Sequence, residues 1–214
     1  VVPVVPVARV ALVARVAEVR GGGGGDGWGS ARRGASVHGV TRYVALLRAV
    51  NLGATRRVSM PRLREVLAER GYGAVRTHMA SGNVLLESSL PEAELAADLT
   101  AAIAERFALD VPVVVRTAEE LAGVLAADPL GHVATDPARY SVTFYAQPLD
   151  PERVAALPPT EGWQYVPRGR EVYVWRPDGV ESDRRTERTW AQLLGTAGTN
   201  RNWNTVRKLV ELTR

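Results

Sequence analysis

Cysteine is absent from the 214 residues, which excludes disulfides, thiol nucleophiles and thiolate metal ligands together. That absence fits a reducing cytoplasm. Lysine is almost absent: Lys208 stands alone and the other 26 of the 27 basic residues are arginine, a bias that reads as the composition of a GC-rich genome. Aromatics make up only 6%, and the five tryptophans are too scattered to form a base-stacking series. His38, His78 and His132 lie far apart without carboxylates at ligand spacing, so no metal site and no cofactor is expected. The chain has no G-x-S-x-G elbow and no G-x-x-x-x-G-K-[ST] phosphate loop. Its longest apolar run, near the N-terminus, is broken by Arg9, Arg15 and Arg20. A membrane span needs roughly 20 apolar residues in succession, and no clean signal-peptide core remains either.

What is present is a globular composition, 46% hydrophobic, with a pI of 9.8 that invites a nucleic-acid reading. The excess charge is local. Residues 1–39 hold five arginines against Glu18 and Asp26, a net of +3. The rest carries 27−5 = 22 basic and 23−2 = 21 acidic residues, a net of +1. The part that folds is nearly neutral, so nucleic acid is disfavoured as a partner. The segment 1–39 runs from a Val/Ala/Pro stretch into Gly21–Gly25. Gly22, Gly24 and Gly27 formally match G-x-G-x-x-G, but no periodic helix follows, as a dinucleotide loop requires. The segment is expected to be a disordered tail, with translation starting at Val40 from a GTG codon.

From Arg42 the pattern becomes regular. Tyr43–Leu47 reads as a buried strand. Ser59-Met60-Pro61 opens a helix with Leu63, Val66 and Leu67 on one face. Strands follow at 75–79 and 84–87, joined by Gly82-Asn83 as a two-residue turn. A helix from Pro91 carries Leu95, Leu99, Ile103 and Phe107, and 111–115 is a fourth strand. The order βαββαβ is that of a ferredoxin-like unit. Thr117 and Glu120 form a capping box for a third helix. After a polar loop come a strand at 141–146, a short helix from Asp150-Pro151, a hairpin over 163–175, and helices near 184–194 and 203–212. The expected fold is α+β: a first ferredoxin-like lobe with its following helix over 40–128, and a second, incomplete lobe over 129–214. The C-terminal helix is expected to return to the interface between them.

Three polar clusters interrupt this frame. Arg201, Asn202 and Asn204 crowd the start of the last helix, where free N–H groups and the positive dipole end favour an anion; Asn202 is also a natural N-cap. Arg48 and Asn51 follow the first strand, on a loop that can carry binding residues or can simply turn the chain. Ser81 and Asn83 flank the hairpin glycine, where turn chemistry is a sufficient reason for them. If these clusters meet in a cleft, arginine and asparagine would grip a small anionic or phosphorylated ligand. An enzyme using Ser81 or His78 for proton transfer in the same pocket is the alternative. Ser182 also offers a hydroxyl, with no base marked beside it.

The runs Arg42-Tyr43-Val44-Ala45-Leu46-Leu47-Arg48-Ala49-Val50-Asn51-Leu52-Gly53, Val75-Arg76-Thr77 through Ser81-Gly82-Asn83-Val84, and Thr199 through Asn202-Trp203-Asn204-Thr205-Val206 together resemble a widespread bacterial family, domain of unknown function 1697. The resemblance extends from about residue 41 to the C-terminus. It implies two ferredoxin-like lobes and a cytoplasmic bacterial protein, and it brings no activity with it. The family pattern has a second glycine where Ala54 stands here, and Tyr and Gln where His78 and Ala80 stand.

Overall fold

Alternation along the strands dictates the layers. β1 (Thr41–Leu47) places Tyr43, Ala45 and Leu47 on one face and Val44 and Leu46 on the other, all buried. A strand apolar on both sides must be covered twice. The computed structural model describes residues 39–53, 56–158, 160, 162–178 and 184–214. Of the tail expected over residues 1–39, all but Gly39 lies outside the described residues.

The first sheet comprises β1, β2 (Gly73–His78), β3 (Asn83–Ser88) and β4 (Val113–Thr117), antiparallel in the order β2-β3-β1-β4. α1 (Met60–Glu69) and α2 (Glu92–Phe107) cover its outer face with Leu63, Leu67, Leu95, Leu99 and Ile103. Ser59 caps α1, and Pro61 sits in its first turn, where a missing N–H costs nothing. α3 (Ala118–Ala127) begins directly after β4, on the capping box of Thr117 and Glu120.

The second sheet repeats the topology. β5 (Tyr140–Phe144), β6 (Gln164–Arg168), β7 (Glu171–Trp175) and β8 (Thr199–Asn202) are ordered β6-β7-β5-β8. α4 (Pro151–Ala155) and α5 (Arg184–Leu194) complete the βαββαβ order, and α6 (Trp203–Leu212) ends the chain. The fold is thus α+β with two ferredoxin-like sheets. The second lobe is fuller than the sequence indicates, because Thr199–Asn202 supply its fourth strand. The first hairpin also differs from expectation. Asn83 pairs with His78 inside the ladder, so the loop between β2 and β3 is Met79–Gly82, and Asn83 is fully buried.

The inner faces of the two sheets share one apolar layer. Val44, Leu46, Leu85 and Val114 from the first meet Tyr140, Val142, Phe144, Tyr173 and Trp175 from the second, with α3 and α6 inserted alongside. Trp203 anchors the returning helix: it stacks on Tyr140 with centroids 4.5 Å apart, a contact worth about 1 kcal/mol beyond its area burial. Arg116, only 1% exposed, crosses the same seam. It donates to Glu171 at 2.9 Å and to the Tyr145 carbonyl at 2.6 Å, while Arg170 reaches back to Glu92 and Glu120. A single guanidinium left unpaired there would cost several kcal/mol; with both carboxylates and carbonyls in place it ties the sheets together.

Candidate functional site

The C-terminal end of β1 is where the two lobes exchange polar contacts. The Leu47 carbonyl accepts from the Thr199 hydroxyl at 3.2 Å and from Arg201 Nη2 at 2.8 Å. Arg201 points inward from β8, and its guanidinium meets only neutral acceptors. Nε donates to Asn83 Oδ1, Nη1 to Thr199 Oγ1 and the Asn200 carbonyl, and Nη2 also to the carbonyls of Ser81 and Gly82. All five of its N–H groups therefore have partners inside the protein. Hydrogen bonds to a charged group contribute about 1.5–3 kcal/mol each, enough together to offset a desolvation cost of several kcal/mol. Burial still pushes its pKa down to about 10.

Arg48 lies just beyond β1. Its Nε donates to the Gly198 carbonyl at 3.0 Å, and Nη1 and Nη2 have no partner among the described residues. Gly198 must be glycine for this approach: a Cβ there would stand 2.5 Å from Thr143 Cγ2 and 2.9 Å from the Phe144 carbonyl. Neither Arg48 nor Arg201 has a carboxylate within ion-pair reach among the described residues. Two guanidiniums without a counter-ion among the described residues, one of them buried, border a single cleft.

That cleft has a volume of about 260 Å³. Arg48, Val50, Leu52 and Ser81 line it from the first lobe; Thr143, Tyr145, Val174, Arg176, Trp190 and Asn200 line it from the second, with Arg201 at its base. Asn200 is held by donating to the hydroxyls of Ser141 and Thr143. Among the described residues the lining contains no histidine, aspartate or glutamate.

The sequence-derived candidates therefore separate. Arg48, Ser81 and Arg201 share the cleft. Asn83 stands behind it, fully buried, donating to Ser81 Oγ and accepting from Arg201. Asn51 lies outside it: its amide clamps the following loop, exchanging bonds with Val58 and donating to the Ala80 carbonyl at 2.7 Å. Asn202 caps α6, accepting from the Thr205 N–H and hydroxyl. Neither Asn202 nor the exposed Asn204 lines the cleft. His78 is half-buried in β2, outside the cleft, and Ser182 falls outside the described residues. Tyr145, Arg176, Trp190 and Asn200 are cleft residues that the sequence does not mark. The inward alternation of Thr199 and Arg201 is the signal that could have revealed β8 and placed Asn200 on the cleft side.

The family model described as "Protein of unknown function (DUF1697)" matches residues 40–173. The chain belongs to this family. No curated protein matches it. Among solved structures it resembles conserved bacterial protein SP0830 from Streptococcus pneumoniae. That likeness has 23% identity and a TM-score of 0.65, and covers 82% of this chain and all of the other. It concerns the fold. Among the described residues no helix is long and apolar enough to cross a membrane, and no group of three or more His, Asp or Glu is arranged to hold a metal ion.

Proposed function

We propose that this protein is a binding module for a small anionic ligand, phosphorylated or carboxylated, held in the cleft between the two sheets. The observation that carries this reading is the pair of guanidiniums, Arg48 and Arg201, that border the cleft without a counter-ion among the described residues. An anion entering there would meet positive potential in a partly desolvated site, where charge interactions exceed their strength in water. Arg48 makes the contact, through terminal nitrogens that suit an oxyanion bidentately. Ser81 and Asn200 flank it. Arg201 and Asn83 act from behind by fixing the turn that carries Ser81, and Asn51 braces the loop beside it.

Binding is favoured over acid–base catalysis because the described lining offers no carboxylate or imidazole to move a proton. A nucleic-acid partner is disfavoured by the +1 balance of residues 40–214, and the lack of cysteine is in keeping with a cytoplasmic location.

The test is a thermal-shift panel of phosphorylated and carboxylated metabolites with the wild type and Arg48→Ala. A ligand that prefers the native state raises its melting temperature. Stabilisation of the wild type that disappears in Arg48→Ala supports the reading. Equal stabilisation of both proteins, or none by any anion, refutes it.

A further inference from the structure

Part of the cleft lining is apolar. Tyr145, Val174 and Trp190 form it, and Val50 and Leu52 extend it toward the first lobe. Trp190 is held from behind by Trp163 and Tyr165, at centroid distances of 5.4 and 4.8 Å, the second edge-on. That backing packs the Trp190 ring on two sides, which lowers the side-chain ordering a ligand would have to impose. Leu52 is 64% exposed at the rim, a large apolar side chain that the fold leaves uncovered.

The polar part of the lining includes Arg48, Ser81, Thr143, Asn200 and Arg201. Every N–H of Arg201 is already committed within the protein, so it supplies field and no hydrogen bond. Arg48 has Nε tied to Gly198, and only its end-on pair, Nη1 and Nη2, remains for a ligand. Two parallel donors match one carboxylate or phosphoryl group. The volume of about 260 Å³ falls just below the roughly 300–1,000 Å³ usual for ligand sites, so the ligand body must be small.

We infer that the ligand is an amphipathic organic anion, with one oxyanion head on the Arg48 terminal nitrogens and a compact apolar body of ring size against Tyr145, Trp190 and Leu52. This rests on the anion-binding reading above and adds the apolar body to it. A polar sugar phosphate could use Ser81, Thr143 and Asn200 but would set hydroxyls against the aromatic wall, and inorganic phosphate would leave that wall wet.

The experiment is isothermal titration of the full chain with inorganic phosphate, glycerol phosphate and phenyl phosphate, repeated on Leu52→Ser. Leu52 is exposed, so this change leaves the core intact. Phenyl phosphate is expected to bind at least tenfold more tightly than the other two. Leu52→Ser is expected to narrow that preference at least threefold while inorganic phosphate binding stays unchanged. Equal affinity for phenyl and glycerol phosphate would overturn the apolar body and leave the anion site standing. Binding of none of the three would overturn the anion site itself, and the inference with it.

Discussion

Arg201 Nε donates to Asn83 Oδ1, joining the last strand of the second sheet to the hairpin of the first, 118 residues away in sequence. The bond makes a buried cation part of the interface without any carboxylate, and the same guanidinium fixes the Ser81–Gly82 turn at the edge of the cleft.

Arg201→Ala is expected to destabilise the protein by about 3 kcal/mol or more, because it leaves the carbonyls of Leu47, Ser81 and Gly82 and the Asn83 amide with fewer partners in a dry site. Arg48→Ala removes one bond from a half-exposed residue and is expected to cost about 1.5 kcal/mol, the low end for a charged donor because its end stays solvated. Urea denaturation of the two variants checks the contrast. Similar losses would mean that Arg48 is as structural as Arg201.

Gly82 adopts φ +79°, and a Cβ there would stand 2.6 Å from Val50 Cγ2 and 2.7 Å from Leu47 Cβ. Gly82→Ala combines backbone strain with overpacking and is expected to lose about 2–4 kcal/mol. Gly169 also has positive φ, but open space surrounds its missing side chain. Gly169→Ala is therefore expected to lose about 1 kcal/mol, from strain alone. Melting curves of the pair measure the crowding at the cleft turn directly.

Asp98 on α2 accepts from the Tyr72 hydroxyl at 2.5 Å and from Arg70 at 3.2 Å. The tyrosine hydroxyl first, and then the guanidinium, hold its carboxyl below the usual range. A carboxylate with a depressed folded pKa contributes stability that is present above its unfolded value, about 3.9, and is lost as pH falls through the folded one. The stability gap between wild type and Asp98→Asn should therefore be full at pH 7 and shrink below about pH 4. A gap that grows in acid would reverse the assigned sign.

Residues 40–214 carry a net charge of only +1. A chain truncated to those residues is expected to show negligible binding to nonspecific duplex DNA at physiological salt. Tight binding that weakens steeply with added salt would restore the nucleic-acid reading.

Much of the frame was legible because it follows local rules. The apolar run of β1, Ser59 before Pro61, and the Thr117–Glu120 box each state their element within a few residues. β8 was not legible. Its four residues, Thr-Asn-Arg-Asn, bury a threonine and an arginine where a strand reading looks for apolar side chains, so they read as the polar start of α6. Asn83 was hidden for the same reason: it resembles a turn residue, and only the distant Arg201 explains its burial. Arg48, Ser81 and Arg201 could be singled out by their polarity among apolar neighbours. Tyr145 and Trp190 could not, because an aromatic in a strand or helix looks the same in sequence whether it faces a core or a cleft. Asn202 satisfies its own helix end, and its cap was as visible in sequence as its polarity.

The most direct measurement is a crystal structure of the full chain with 4-bromophenyl phosphate, the bromine located by its anomalous signal. Phosphoryl oxygens are expected within hydrogen-bond distance of Arg48 Nη1 and Nη2, and the bromine beside Tyr145 and Trp190. A phosphoryl group at the N-terminus of α6, beside Asn202 and Asn204, with the cleft empty, would contradict that placement.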